Sequence, residues 1–241
     1  MLKHALGEGS DAAPGRFKTL LNSARDGLSS GTAAPLDSMY TLILMDTSGV
    51  GQVHADELKA LLQLLASLLS AQMALSVTTL ADLVGMDKDE VRARLSRLHA
   101  VVHVPEDDEE TSLHTLHASF GDYLVSRAPS SIRISGSLGH EVLLRGCLHV
   151  MMKRLHFKIS RSRSSYLPSP ATKAVTIELS LEYSCLHWVH HVGGLSDTSA
   201  LDDDIYIILR AQFLFWLEVM SILGKVRRAA AMLVFAARMV C

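Results

Sequence analysis

Apolar side chains recur every three or four positions along most of this chain, and the polar residues between them mark where helices begin and end. The spacing predicts a first helix over Leu36–Met45, capped by Asp37, and a second over Ala55–Ala71. In the second, Leu58, Leu61, Leu62, Leu65 and Leu69 fall on one face. Ahead of them, residues 1–35 are rich in Gly, Ala and Ser and contain Pro14 and Pro35, so they form a loose leading segment with at most one short helix, around Arg16–Asn22. No repeat period appears, which excludes a solenoid or propeller.

Between residues 75 and 128 the punctuation is clearest. Leu80, Leu83 and Val84 define a short helix that Ser76 or Thr78 would cap and Gly85 would end. Asp87 caps the next helix, with Glu90 three positions on as its capping-box partner, and Val91, Leu95 and Leu98 as its buried stripe. Two short helices across a glycine turn predict a helix-turn-helix. Val101–Val104, an acidic tip Glu106–Glu110 and Leu113–His117 then predict a β-hairpin, and Phe120, Tyr123 and Leu124 start a further helix. That order is a winged helix.

Residues 137–241 read as all-helical: Leu138–Phe157, Thr176–Val192, Leu201–Leu223 and Lys225–Val240, the last two parted near Gly224. The expected fold class is therefore mainly α, a winged helix (helix-turn-helix plus β-hairpin) followed by an all-helical arm. Its expected domains are residues 1–35, the lead-in helices 36–74, the winged helix 75–128 and the helical domain 137–241.

Composition narrows the class of protein. Of 241 residues, 49% are hydrophobic and 20% charged, which suffices for a sizeable core and excludes a disordered chain. With 23 basic and 25 acidic residues the net charge is −2, against the strong basic excess of a general nucleic-acid binder. Three scattered cysteines, Cys147, Cys185 and Cys241, fit a reducing cytosol rather than a disulfide scaffold. Met1–Ser10 has no apolar run for a signal peptide. Ala60–Ala81 has no charged residue, but Gln63, Ser67, Ser70, Gln72, Ser76, Thr78 and Thr79 interrupt it, so no membrane span is expected.

Charge also bears on DNA. Lys88, Arg92, Arg94 and Arg97 on the second helix suit phosphates, but Asp87, Asp89 and Glu90 stand at the end that usually enters the groove. The five acids Glu106–Glu110 would repel the backbone. A wing that faces protein is the better reading. From Val142 to Ile177 there are seven basic residues and no acid, including Arg161-Ser-Arg-Ser-Ser165 between helices. This is either a patch for RNA, anionic lipid or phosphorylation, or a solvated face that complements the acidic wing.

Catalytic and metal motifs fail on inspection. No phosphate-binding loop occurs, since Gly224–Lys225 runs on into Val226 within helical sequence. His187, His190 and His191 lack a carboxylate at zinc-site spacing and read as plain helix surface. Asp46–Glu57 imitates a calcium loop, yet Val50 stands at a ligating position. Ser119, His117 and Asp122 are neighbours in sequence, which does not make a triad. The chain is expected to be no enzyme.

The residues themselves carry a resemblance. Leu75-Ser-Val-Thr-Thr-Leu-Ala-Asp-Leu-Val-Gly-Met86, Val91–His99 and Leu116-His-Ala-Ser-Phe-Gly-Asp-Tyr-Leu124 resemble the winged-helix region of fungal NACHT proteins, NLR-like signalling NTPases of the STAND class. The resemblance continues through Gly146-Cys-Leu-His-Val-Met151, Ser180–Val189 and Phe213–Leu223, and Leu36–Leu44 is similar to the helix leading in from the NTPase core.

What the resemblance implies is a regulatory, non-catalytic module: the interdomain switch and helical arm of such a protein, cytoplasmic and serving innate immunity or self-recognition. The P-loop core and repeat sensor of the family are missing from this sequence, as in a fragment, truncated gene model or degenerate paralogue. The family further implies that His117, in His117-Ala-Ser-Phe120, contacts the ADP phosphate when an ATPase domain is supplied; read locally, the same histidine closes a strand on nearby backbone. No cofactor is then expected in this chain alone. Its partner would be a NACHT ATPase domain, in cis or in a full-length relative, with homo-oligomers as an option. The alternative is a nucleic-acid-binding adaptor using the helix-turn-helix and the basic 145–173 stretch; a third reading is a remnant unable to hold its fold alone.

Overall fold

A computed structural model of the protein describes residues 34–48, 53–106, 112–160 and 176–239. Within them the chain is mainly helical, with one two-stranded antiparallel sheet. Outside the described residues lie almost all of the leading segment, part of the calcium-like loop, the wing acids after Glu106, the Arg161–Ser165 loop and Cys241.

Helices α1 (Ala34–Ser48) and α2 (Val53–Ser70) come first. Asp37 is not the cap of α1, because the helix begins three residues earlier; it sits in the first turn and pairs with Arg127, N–O 3.0 Å. The core face of α2 is Leu61, Leu64, Leu65 and Ala66, so it is rotated slightly from the predicted leucine stripe. Helix α3 (Val77–Val84) is capped by Ser76, whose hydroxyl accepts from the Thr79 amide at 3.1 Å, and Gly85 ends it with φ 73°. Asp87 caps α4 (Lys88–Ser96) by accepting from the Asp89 and Glu90 amides. Glu90 does not close a capping box, because its carboxylate pairs forward with Arg94.

The strands are short. β1 (Val102–His103) pairs with β2 (His114–Thr115), and Leu113 donates back to the Leu75 carbonyl at 2.8 Å, a bridge just ahead of α3. Helix α5 (Ala118–Asp122) runs directly into a π-helical segment, Tyr123–Arg127.

Five helices follow among the described residues: α6 (Leu138–Arg154), α7 (Leu179–Gly193), α8 (Asp202–Ala211), α9 (Phe213–Ile222) and α10 (Val226–Met239). The single helix expected over Leu201–Leu223 is two, bent by 73° at Gln212. Its halves serve different neighbours: α8 packs on α6 through buried Ile205 and Ile208, while α9 packs on α7 through Trp216, Val219 and Met220. A straight helix could not reach both.

The α6–α7 pair is the centre of the molecule. Its helices run antiparallel, because His140 at the start of α6 meets His191 at the end of α7, while Arg154 at the end of α6 meets Glu178 and Ser180 at the start of α7. One continuous apolar core extends from Tyr40 to Ala236 across all of these elements. Among the described residues no single helix is long and apolar enough to cross a membrane.

Candidate functional site

His117 is placed by the hairpin and by α5. The strand before it is fixed by the Leu116 amide, which donates to the Val101 carbonyl at 2.9 Å. The His117 carbonyl in turn accepts from the Phe120 amide at 3.1 Å. The His117 backbone is extended, φ −135° and ψ 129°, and its imidazole makes no capping bond. Leu116, His117 and Ala118 form an exposed strip.

Behind this strip the support is rigid. Phe120 and Tyr123 are fully buried and pack with Tyr40 of α1, at ring centroid distances of 5.2 and 5.4 Å. The Tyr40 hydroxyl is 2.9 Å from Ser119 Oγ, and the Tyr123 hydroxyl is 2.7 Å from Thr41 Oγ1. Arg127 adds its pair with Asp37 and a 3.3 Å bond to the Ser119 carbonyl. Ser119 is thus engaged with Tyr40, not with His117, and no hydrolase set forms.

Five of the arginines proposed for nucleic acid have partners within the fold. Arg94 pairs with Glu90, Arg97 lies 3.8 Å from Glu57, and Arg92 donates to the Pro105 carbonyl beside the hairpin. In the basic stretch, Arg145 pairs with Glu141 at 3.1 Å. Arg154 lies 3.0 Å from Asp82 of α3 and also pairs with Glu178. Arg154 therefore ties the helix-turn-helix to both central helices.

Of the three histidines near residue 190, His190 is helix surface as expected, but His187 is half-buried and His191 lies inside. His191 is fully buried, because α7 presents Tyr183, His187 and His191 one turn apart toward the interior. His191 Nε2 is 2.9 Å from the Tyr183 hydroxyl, and its Nδ1 is 3.1 Å from His140 Nδ1. Burial, with His140 as the next cause, pushes His191 down to about 3; burial and then Arg228 push His187 down to about 4. His140 is also lowered, by burial and then by His190. Local spacing contained the α7 stripe, but nothing in it announced His140, 51 positions away. Among the described residues no group of three His, Cys, Asp or Glu is arranged to hold a metal.

The frame that carries these features is a mainly helical one with a helix-turn-helix and a short hairpin set against an antiparallel helix pair. The chain is 25% identical over 224 residues to the vegetative incompatibility protein HET-E-1 of Podospora anserina, a fungal protein. That similarity covers 78% of this chain but only 15% of HET-E-1, so the chain spans about one-seventh of the length of this relative. No protein-family model and no solved structure matches the chain.

Proposed function

We propose that this chain is a non-catalytic regulatory module of a fungal NLR-like signalling NTPase, a winged helix joined to a helical arm, and that it acts as an interdomain switch. The order helix, glycine turn, helix, antiparallel pair, helix supports the winged-helix reading, and the Leu75–Leu113 bridge supplies its third strand position. The similarity to a vegetative incompatibility protein supports a role in fungal self-recognition signalling.

One observation carries the proposal: His117 is exposed, has no local capping bond, and stands on a buried aromatic platform. An imidazole so placed can donate an N–H to a phosphate oxygen presented by a neighbouring domain. The partner is a NACHT ATPase domain in cis or in a full-length relative, with ADP held by that domain and no cofactor held by this one. The reading places the protein in the cytoplasm. The nucleic-acid alternative is weakened because Arg92, Arg94, Arg97, Arg145 and Arg154 already have protein partners.

The test is binding of the whole chain to a purified fungal NACHT ATPase domain, with and without ADP. Tighter binding with ADP, lost about tenfold in His117→Ala at unchanged melting temperature, is expected. Equal binding of the two chains, or none, would overturn the assignment.

A further inference from the structure

The histidine network at the α6–α7 junction plays no part in the function proposed above. Its bonds have a direction. The Gln72 amide donates to the Tyr183 hydroxyl oxygen at 3.3 Å. The buried hydroxyl then places its own proton on His191 Nε2, the other polar atom within its reach. His191 must therefore carry its ring proton on Nδ1 and donate it to His140 Nδ1, which accepts. The whole chain of bonds holds only while both imidazoles are neutral.

A proton arriving on His140 Nδ1 would reverse both bonds made by the His191 ring, while the Gln72 amide still donates to the Tyr183 oxygen. His191 would have to donate from Nε2 toward Tyr183, and the buried hydroxyl would be left without an acceptor. A second proton would set two N–H groups face to face across 3.1 Å. Among the described residues no carboxylate is a cause of the lowered values of His140, His187 and His191. The groups facing the pair are His187 and His190 on α7, Cys147 on α6 beside Tyr183, and Arg228 on α10 beside His187. Added positive charge is thus uncompensated. A metal is the poorer explanation, since among the described residues no third ligand joins the His140 and His191 nitrogens. Packing has also been shaped to the ring: a Cβ on Gly194 would lie 2.3 Å from His140.

We propose that His140, His191 and Tyr183 form a proton-sensitive latch that holds the start of α6 to the end of α7 and lets go in mild acid. The opposite end of the helix pair is held by Arg154 with Glu178 and Asp82, ion pairs that contain no imidazole, so the histidine bonds are confined to one end. The sign follows from linkage. These histidines have lowered values in the closed state, to about 3 for His191, against about 6.5 when exposed. Closure is therefore undiminished above about pH 6.5 and weakens as pH falls below it, by up to about tenfold per histidine per pH unit.

Amide hydrogen exchange on the whole chain at pH 7.0 and 5.5, corrected for intrinsic rates, tests this. Protection at 138–142 and 187–193 should fall by tenfold or more at pH 5.5, with α3 and α4 unchanged. In His140→Gln, whose amide oxygen still accepts from His191 but cannot titrate, the fall should be at least several-fold smaller. Gly194→Ala, which displaces the His140 ring, should show low protection at the same end already at pH 7.0. A uniform loss across the molecule, a His140→Gln profile equal to wild type, or a Gly194→Ala protein protected as wild type would each overturn the latch.

Discussion

Gly146 of α6 lies against the carbonyl of Leu83, in the last turn of α3, so closely that a Cβ on it would sit 1.7 Å from the Leu83 oxygen. Gly139, two turns earlier on the same face, meets the Ala66 carbonyl of α2 in the same way, at 2.1 Å. The two glycines let α6 bring its backbone against α2 and α3. Gly146→Ala should therefore cost about 2–3 kcal/mol, because backbone rather than a flexible side chain must move. Gly136→Ala, with nothing within 4 Å, should change stability by less than about 0.5 kcal/mol. Urea denaturation of both variants checks the contrast.

Trp188 and Trp216 sit edge to face, 6.4 Å apart, and both are buried. Their indole N–H groups differ in fate. Trp216 donates to the Cys185 carbonyl at 3.0 Å, whereas Trp188 Nε1 has no partner among the described residues. Replacing each by Phe removes a satisfied donor in one case and an unsatisfied one in the other. Trp216→Phe should be the more destabilising by about 1–3 kcal/mol, read from chemical denaturation. Equal losses would mean that ring volume alone decides.

The aromatic platform behind His117 yields a third expectation. Phe120 is fully buried and packs edge to face with Tyr40, so Phe120→Ala should cost about 3–5 kcal/mol. Tyr40→Phe keeps the packing and loses only the bond to Ser119, a cost of about 1 kcal/mol. Thermal melts would separate the two. If Phe120→Ala were as mild as Tyr40→Phe, α1 would not be docked on this region, and the support argued for His117 would fail.

These residues also show what was legible in the chain and what was not. Ser76, Gly85 and Asp87 announced their caps because a cap is a local bargain between one side chain and the next few amides. Val91, Leu95 and Leu98 announced their burial through helical spacing. The break at Gln212 left no such mark, since no Gly or Pro stands there and the bend comes from two halves seeking different partners. Gly139 and Gly146 were unreadable for the same reason: their importance lies in carbonyls of other helices. His191 looked like surface because a polar residue is assumed to face water, and only Tyr183 and His140 make its burial tolerable. As for the site, sequence singled out His117, but not Tyr40 or Arg127, which hold the ground behind it.

Cys147 and Cys185 report on the α6–α7 junction from inside. Both are buried, and burial pushes the Cys147 thiol up to about 12 and raises Cys185 further. The reactive species is the thiolate, and burial keeps Cys147 protonated at neutral pH even if reagent could reach it. In a Cys241→Ser background, a thiol-specific disulfide reagent should leave both cysteines unlabelled in the folded protein. Labelling should appear only as urea unfolds it, with the same midpoint as the loss of helix. Mild acid slows thiol chemistry itself, so the comparison belongs at neutral pH, with Gly194→Ala as the opened state. That variant should label faster than its parent under identical conditions. Rapid labelling of the parent in the folded state would mean that the helix pair already opens at neutral pH, leaving the histidines nothing to hold shut.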